Sequence, residues 1–491
     1  MRNNTTAQLT RTLVAAACAV TCFAASAATI QIQNRDPAGF GFNDPTPVAP
    51  VGGNMGTTLG QQRLNVYRYV ADIWEKNLDS PVPITVSAGW EALTCTDSSA
   101  VLGSAGAWNI WNNTPGAQKD TWYAAALANK LAGVNLAADQ PDDGTGYGNV
   151  DIKTQFNANL GNPGCLTGTS FYLGFDGKAG ANVNFVETLL HELGHGLGFS
   201  VISVNTGTGQ RINAAGTAYV TNGGLPSVWE QFMFDNTAKK SWLNMTSAER
   251  KASAINPLKL AWTGPNVAAG QGMLSATPVL KVTATNASLS GNMDFNTAPF
   301  GSAVPTSGSI GKIAALSPQP NTLGPACEPL TAANANAVRG NAALVQRGGC
   351  TFAIKVKNLQ DAGATFAVLY NNVDGALVPG GSDPAITIPV LALSLADGLK
   401  LQTAVTGGSR SAPASATGAL TTDPTRIAGA DAFGRPLLYT PAVLASGSSV
   451  SHWDVTASPN LLMEPNINPD LGTILVAPKD LTKPLLQDIG W

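Results

Sequence analysis

Glycine and proline recur so often in this chain that long uninterrupted helices are excluded from most of it. The 491 residues include 52 Gly and 31 Pro. Glycine weakens helices and strands, and proline removes a backbone donor, so this density favours short strands and turns over a helical bundle. A chain of this length also exceeds one ordinary core, and we therefore expect at least two domains.

The composition is that of a folded chain without a surface suited to nucleic acid. Hydrophobic residues make up 44% of the sequence, charged residues 12%, and the formal net charge is −3. Because nothing forms a basic stripe, we expect no nucleic-acid partner. Beyond the N-terminal region, no stretch stays apolar for the ~20 residues that a membrane helix needs, so we expect no span in the mature chain.

The N-terminus has the pattern of a secretory signal peptide covering residues 1–27. Arg2 and Arg11 supply positive charge, an apolar run follows over residues 13–25, and small residues precede a cleavage site after Ala27. The apolar run is too short for an ordinary membrane span. We therefore expect a secreted protein, either extracellular or periplasmic.

The cysteine count fits an oxidising compartment. The chain has six cysteines, of which two lie in the predicted signal peptide. The even number that remains indicates disulfides, with free buried thiols as the alternative. Proximity in sequence favours two pairs among the three possible pairings: Cys95–Cys165 and Cys327–Cys350.

Residues 191–200 carry the sequence HELGHGLGFS and form the centre of the functional prediction. Asn184 can cap a helix here, with Glu187 three residues later as its capping partner. His191 and His195 are four residues apart, so on a helix they share one face. An apolar stripe on the other side predicts that the helix packs by one face and presents both imidazoles on the opposite one.

This arrangement of side chains predicts a catalytic zinc site. Two neutral imidazoles suit Zn²⁺, and Glu192 lies beside them without a ligand role of its own. Zinc lowers the pKa of a water molecule and polarises a carbonyl, while a neighbouring carboxylate takes the proton of that water. Glu192 is therefore the predicted general base.

A catalytic zinc needs a third protein ligand, and the remaining histidine of the chain is His452. Folding could bring it to the helix despite its distance in sequence. Carboxylates are the alternatives: Glu230, which follows His195 by 35 residues, or the pair Asp454 and Glu464. The choice between them stays open at this point.

HELGHGLGFS resembles the first part of the metzincin signature, HExxHxxGxxH. The match covers His191, Glu192, His195 and Gly198, and it fails at the last position, which is Val201 here. A chain that departs there resembles the leishmanolysin-like branch, in which the third histidine follows a long insertion. This resemblance implies that His452 is the third ligand and that Met463 is the Met-turn residue beneath the metal.

The insertion between His195 and His452 has a resemblance of its own. Residues Cys327–Leu401, with the segment GNAALVQRGGCTFAIKVKNLQDAGATFAVLYNN, are similar to a protease-associated domain. Such domains imply substrate binding, access control or protein interaction rather than chemistry. The ends of an inserted domain are expected to lie close together.

These observations predict an α+β protein with four segments. They are the signal peptide (1–27), the first part of a metzincin-like catalytic domain with a twisted sheet and an active-site helix (28–275), a β-rich α/β protease-associated insert (276–407), and the C-terminal part of the catalytic domain (408–491). We expect Ser409–Thr422, which is rich in small residues, to be a linker.

The predicted function is that of a secreted, monomeric zinc endopeptidase acting on proteins or peptides. Two alternatives remain open at this level. One is a secreted binding or adhesion protein with a structural or degenerate zinc site, and the other is a zinc peptidase that uses Glu230 as its third ligand.

Overall fold

The computed structural model describes residues 27–97, 99–138, 149–320, 323–375, 377–381, 383–409, 412–468 and 470–491. The predicted signal peptide, apart from Ala27, lies outside these ranges. Within them, no helix is both long enough and apolar enough to cross a bilayer.

Short elements alternate along the chain up to residue 275. The helices there are α1 (Leu59–Glu75), α2 (Ala125–Ala132), α3 (Phe185–Gly196), α4 (Ser247–Ser253) and α5 (Pro265–Gly270). The strands there are β1 (Ile30–Asn34), β2 (Ile84–Glu91), β3 (Gly103–Ala107), β4 (Ile110–Asn112), β5 (Trp122–Ala124), β6 (Ile152–Asn157), β7 (Phe171–Tyr172), β8 (Val183–Asn184), β9 (Val204–Asn205), β10 (Gln210–Ile212), β11 (Tyr219–Val220), β12 (Met233–Asp235), β13 (Lys240–Ser241) and β14 (Leu260–Trp262).

Strands dominate the chain from residue 276 to residue 427. The strands are β15 (Ala276–Ala284), β16 (Gly291–Asp294), β17 (Asn296–Thr297), β18 (Gly308–Ala315), β19 (Ala342–Gln346), β20 (Phe366–Tyr370), β21 (Val390–Leu393), β22 (Gly408–Ser409), β23 (Ala412–Pro413) and β24 (Ala416–Ile427). The remaining helices are α6 (Ala332–Val338), α7 (Phe352–Asp361), α8 (Leu395–Thr406) and, near the C-terminus, α9 (Thr482–Ile489). The protein is thus of mixed α+β class.

A four-stranded sheet supports the first part of the chain. Its order is β1-β2-β6-β3; the first three strands run parallel, and β3 pairs antiparallel with β6 as an edge strand. All of β2 except Glu91 is buried, as expected for a central parallel strand covered on both faces. The edge strand β3 contacts α3, which brings an unpaired strand edge next to the predicted zinc helix.

Helix α1 packs its apolar face into a hydrophobic core that also contains residues of this sheet. Apolar residues over 61–78 recur at helical spacing and predict a helix. The structure confirms this helix with bounds of Leu59–Glu75, and it begins where the Thr58 side chain accepts a hydrogen bond from the Gln61 amide. Tyr67 and Trp74 are fully buried. The alanine-rich run Trp122–Leu131 also predicts a helix. This prediction is partly wrong, because its first three residues form β5 and pair with β4.

One hydrophobic core joins the two ends of the chain. It contains buried residues from Ala28 to Leu274 and again from Leu438 to Ile489, and among the described residues between these two stretches it contains none. The Leu438 amide donates to the Leu260 carbonyl at 2.8 Å, and α9 packs against α5. The C-terminal segment therefore completes the first core instead of forming one of its own.

The intervening segment forms a second, eight-stranded sheet. Its order is β16-β15-β24-β18-β19-β20-β21-β17. Successive residues of β19 alternate between two apolar clusters: Ala342 and Leu344 belong to one, Ala343 and Val345 to the other. Both faces of this sheet are thus covered, and the segment has a core separate from that of the rest of the chain.

The interpretation of Ser409–Thr422 as a linker is wrong. Its second half lies entirely in β24, which pairs antiparallel with β15 and β18, two strands of the predicted insert. Small residues such as Gly418 fit there because a Cβ at that position would lie 2.7 Å from Ile310 Cγ1. The small-residue composition reflects close packing between neighbouring side chains, not a flexible connection.

The chain leaves the first core to form the second sheet and returns to the first core at an adjacent point. Ala276 is the register partner of Ile427, and the Ala428 amide donates to the Ser275 carbonyl at 2.9 Å. The excursion between Ala276 and Ile427 therefore begins and ends at one place on the surface of the first core.

The structure contains the two favoured disulfides, Cys95–Cys165 and Cys327–Cys350, with sequence separations of 70 and 23 residues. The first ties the segment before β3 to the segment after β6. The second lies in the eight-stranded module, between the residues preceding α6 and those preceding α7. Each disulfide thus restrains a different core.

Removing the longer cross-link should destabilise the first core. The chain-entropy relation assigns about 4.4 kcal/mol to a loop of this length and about 3.4 kcal/mol to the shorter loop. We expect the double variant Cys95→Ser/Cys165→Ser to lower the urea midpoint of the first core and the matched variant Cys327→Ser/Cys350→Ser to lower that of the second module. Tryptophan fluorescence reports the first core, which holds Trp74, Trp90 and Trp229. Equal urea midpoints for wild type and both variants would contradict the prediction that each disulfide stabilises its own core.

Candidate metal centre

Three imidazoles meet at the C-terminal half of α3. His195 Nε2 lies 3.1 Å from His191 Nε2 and 3.0 Å from His452 Nε2. Helical spacing brings the first two together, and the loop before Trp453 supplies the third. The structure therefore brings together the three histidines that the sequence predicted as ligands.

The other nitrogen of each ring is bound to a backbone carbonyl. His191 Nδ1 lies 2.7 Å from the carbonyl oxygen of Leu462, and His195 Nδ1 lies 2.7 Å from that of Phe199. His452 Nδ1 lies 2.9 Å from the Ser448 carbonyl. A carbonyl oxygen only accepts, so each Nδ1 must carry the proton. The three Nε2 atoms are therefore left with free lone pairs.

Burial keeps these rings neutral. Loss of water lowers the pKa of His191 to about 4 and that of His195 to about 3, with the neighbouring His191 contributing to the second shift. The pKa of His452 is also far below its usual range for the same reasons. His195 Nε2 therefore lies about 3 Å from two other unprotonated nitrogens, and such lone pairs repel one another unless a cation lies between them.

The donor set fits zinc. Nitrogen ligands at about 2.05 Å from a tetrahedral Zn²⁺ lie about 3.3 Å apart, close to the two separations seen here. Each ligand ring is oriented from behind by a carbonyl, as is usual for histidines that bind metals. With three nitrogens engaged, a tetrahedral ion would keep one open position, which distinguishes catalytic from structural zinc sites.

Glu192 is buried beside the histidines and points to the edge strand. Burial raises the pKa of its carboxyl group to about 8, while a hydrogen bond from the Ala105 backbone amide opposes this shift. Ala105 belongs to β3, so the edge of the first sheet holds the carboxylate. A nearby dication would favour the ionised form again, because opposite charge lowers the pKa of a carboxyl group.

Glu230 is not part of the cluster. Its carboxylate is fully buried, accepts from the Ser203 hydroxyl at 2.7 Å and pairs with Arg211 at 2.7 Å. It also accepts from the Ser227 amide, completing a capping box at a short 3-10 helix, Val228–Phe232. Both oxygens of Glu230 thus serve the local fold. The other two candidates, Asp454 and Glu464, are also outside the cluster: Asp454 accepts from Thr456, and Glu464 accepts from the Leu461 amide.

Met463 lies directly against α3. It is fully buried, and a Cβ on Gly194 would meet its sulfur at 2.8 Å. The loop that carries it also supplies the Leu462 carbonyl to His191, and the Trp453 amide donates to the Met463 carbonyl at 2.8 Å. Met463 thus packs against the ligand helix and lies on a loop that contacts two of the ligand segments.

A groove of about 2150 Å³ opens over the histidines. One side is lined by the edge strand β3 and by residues of α3, including Glu187, Glu192 and both helical histidines. Other lining residues come from the eight-stranded module, around β17 and in the loop at 377–381. The second module therefore forms part of the wall of the site.

Several contributors could not be found from the sequence. The carbonyls that orient the imidazoles come from main-chain atoms, which carry no residue signature. Asp480, which accepts from the Leu462 amide at 2.7 Å and so holds that loop, looks like an ordinary acidic residue in the sequence. Glu187 was predicted only as a helix cap partner; Asn184 does cap α3 by accepting from the Val186 amide at 3.1 Å.

Comparison with known families identifies the second module. Residues 311–401 match the family model described as PA domain. The chain contains a PA domain. The match lies within the predicted insert and covers its central strands and helices, while the boundaries 276–407 and the division of the remaining chain stay predictions.

Curated relatives match over short stretches. A receptor homology region, transmembrane domain- and RING domain-containing protein 1 from Oryza sativa is 44% identical over 75 residues, 15% of this chain and 14% of that protein. The minor extracellular protease Vpr of Bacillus subtilis is 39% identical over 69 residues, 14% and 8%. A probable leucine aminopeptidase 2 of Aspergillus fumigatus is 42% identical over 66 residues, 13% of each. The chain thus spans no more than about a seventh of these relatives.

Solved structures give only distant likenesses. A zinc aminopeptidase from Bacillus subtilis aligns with 33% of this chain and 37% of its own at 18% identity and a TM-score of 0.20. A psychrophilic subtilisin-like protease, Apa1, aligns with 30% and 34% at 17% identity and the same TM-score. These scores are too low to indicate a shared overall fold.

Gly196 allows α3 to lie close to the first sheet, and its replacement should be harmful. A Cβ there would be 2.3 Å from Cγ2 of Ile152, a stiff β-branched side chain. At a helix position with free space, a Gly→Ala substitution raises the free energy of unfolding by about 1 kcal/mol. We expect Gly196→Ala instead to lower it by about 1–3 kcal/mol, because the added methyl group overpacks the contact with the sheet. Urea unfolding measures this change. Gly272→Ala is the control, because no atom lies within 4 Å of its Cβ position; equal stabilities for the two variants would contradict the argument.

Proposed function

We propose that this protein is a zinc-dependent peptidase that hydrolyses peptide bonds within proteins or peptides. The observation that carries the proposal is the convergence of three Nε2 lone pairs beside a buried carboxylate at the base of an open groove. His191, His195 and His452 are the proposed ligands, and Glu192 is the proposed general base. The PA domain adds support, since two of the relatives that match over short stretches are named as a protease and an aminopeptidase.

The proposed chemistry divides the work between the metal and the chain. Zinc, when bound, acidifies the attacking water and polarises the scissile carbonyl. Glu192 takes the proton of that water and delivers it to the leaving amine. The Ala105 backbone amide donates a hydrogen bond to the carboxylate and so orients it from β3.

The edge strand offers a way to bind a peptide. The outer edge of β3 is not paired within the sheet and lines the groove. An extended substrate can add to such an edge through main-chain hydrogen bonds, largely independent of its sequence. This mode would lay a peptide across the histidines, and it favours internal bonds of extended segments as substrates.

The finer assignment follows from the sequence resemblance. We infer a metzincin-like catalytic domain of the leishmanolysin-like branch, with Met463 as its Met-turn residue and the PA domain inserted between the second and third ligands. The contact between Met463 and Gly194 supports this assignment. The two disulfides are compatible with secretion, and we propose a secreted monomer.

The third ligand can be tested by zinc content. We expect wild type to hold one zinc per chain and His452→Ala to lose it, because two imidazoles alone leave the ion with too few protein ligands. Glu230→Gln should be less stable but keep its zinc, since Glu230 pairs with Arg211 rather than the cluster. Metal analysis of the folded fraction after dialysis measures both. Full zinc in His452→Ala would refute the ligand assignment.

The general base can be tested with a substitution that keeps shape and metal. Glu192→Gln should lower kcat/KM about 10²- to 10⁴-fold on an internally quenched peptide blocked at both ends, with zinc content unchanged. Blocked ends restrict the signal to endopeptidase cleavage, so a free-ended twin peptide reveals an aminopeptidase instead. If wild type and Glu192→Gln hold zinc and are equally inert on both peptides, a binding or adhesion protein with a structural zinc becomes the better assignment.

A further inference from the structure

Helix α3 ends in a turn that orients one of the proposed ligands. The Phe199 amide donates to the Gly194 carbonyl at 3.0 Å. The Gly198 amide donates to the His195 carbonyl, also at 3.0 Å, and these two bonds together form a Schellman motif. The Phe199 carbonyl oxygen then lies 2.7 Å from His195 Nδ1. The direction of the His195 ring therefore depends on the conformation of this turn.

The Schellman bonds alone leave this turn weakly restrained. Gly198 has a φ of 115°, and glycine has more backbone freedom than any other residue. The motif satisfies the carbonyls of Gly194 and His195, but it supplies no donor to the carbonyl of Leu197, which belongs to the peptide bond directly before Gly198. Because Leu197 is fully buried, bulk water does not reach that carbonyl. A side-chain donor is needed to fix this peptide plane.

The indole of Trp491 supplies the donor. Its Nε1 lies 2.7 Å from the Leu197 carbonyl oxygen, and an indole N–H only donates. The segment that carries the indole is held by α2: Lys130 Nζ donates to the Gly490 carbonyl at 2.6 Å. The same ammonium lies 5.7 Å from the centroid of the Trp491 ring, within the range of a cation–π contact. The indole thus reaches the turn from a fixed base.

A serine holds the other end of the turn. The Val201 amide donates to Ser451 Oγ at 3.2 Å, and Ser200 Oγ lies 3.3 Å from the same atom. Ser451 is 4% exposed and immediately precedes His452. The two ends of the turn, Leu197 and Val201, are therefore held by side chains of the C-terminal segment.

We propose that Trp491 and Ser451 are positioning residues of the metal centre, which clamp the turn whose carbonyl orients His195. This role rests on the proposed function and adds residues that act on the ligands through the main chain. With this clamp, the C-terminal segment orients both rings on α3: it reaches His191 through the Leu462 carbonyl and His195 through the clamped turn.

The orientation of the rings can be followed without metal and without turnover. Because the chain has three histidines, ¹⁵N-histidine labelling of the metal-free chain gives one Nδ1–H signal for each ring, assigned with His191→Asn, His195→Asn and His452→Asn. Trp491→Phe keeps a ring beside Lys130 and removes the donor. We expect it to shift the His195 Nδ1 proton upfield, since a longer hydrogen bond deshields the proton less, and to leave the other two signals in place.

The second variant should give a different pattern. Ser451→Ala removes the acceptor of the Val201 amide, and Ser451 adjoins His452 in the chain. We therefore expect the His195 and His452 signals to shift while the His191 signal stays. Zinc affinity, measured by competition with a chelator, is an independent readout. Each variant should bind zinc about 10-fold more weakly than wild type, the lower end of the effect of removing groups that orient metal-binding histidines.

Trp111→Phe is the matched control. It makes the same exchange in β4, at an indole whose Nε1 has no hydrogen-bond partner among the described residues. We expect all three histidine signals and the zinc affinity to keep their wild-type values in this variant. Equal shifts of all three signals in Trp491→Phe would indicate general loosening of the fold and would overturn the clamp.

The two readouts separate the clamp from the proposed function. A shift confined to His195 in Trp491→Phe supports the clamp even if wild type binds no zinc and hydrolyses nothing. Unchanged histidine signals in both Trp491→Phe and Ser451→Ala, with zinc bound as tightly as by wild type, overturn the clamp and leave the peptidase proposal intact.

Discussion

Three hydrogen bonds from imidazole Nδ1 atoms to backbone carbonyls are the interactions on which the site depends. They hold the proton on the outer nitrogen of each ring and turn the lone pairs inward. The carbonyl for His195 belongs to the turn after its own helix, and that for His452 lies four residues before it. The carbonyl for His191 comes from Leu462, so one ligand on the helix is oriented by the C-terminal segment. Helix and C-terminal loop therefore define the cluster jointly.

The loop that reaches His191 is held by buried carboxylates. Asp480 accepts from the Leu462 amide, and Glu464 accepts from the Leu461 amide. Burial raises the pKa of both carboxyl groups. Such groups are costly to bury, and their hydrogen bonds to the main chain offset part of that cost. These hydrogen bonds fix the position of the Leu462 carbonyl, and a shift of that carbonyl would turn the His191 ring.

The sequence was informative where side chains act through spacing. Helical periodicity was sufficient for α1 and α3, and the four-residue interval was sufficient to bring His191 and His195 together. His452 could be proposed because few histidines were available, and the structure brings it to the other two. Contributions made by the main chain, such as the Ala105 amide and the Leu462 carbonyl, leave no trace in residue identity. The strand β24 was mistaken for a linker because glycine and alanine at a tightly packed position look the same as those of a flexible segment.

The adjacent ends of the eight-stranded module have a consequence for assembly of the site. His195 and His452 are separated by 257 residues, and the entropic cost of closing a flexible loop rises slowly with its length. Once the module has folded, Ala276 and Ile427 are neighbours, and the loop that must close is shortened by the whole module. A folded module thus shortens the effective distance along the chain between the distant histidine and its two partners, which lowers the entropic cost of closing the loop by about 0.8 kcal/mol. The structure of the module and the assembly of the histidine cluster are coupled in this way although the module supplies no ligand.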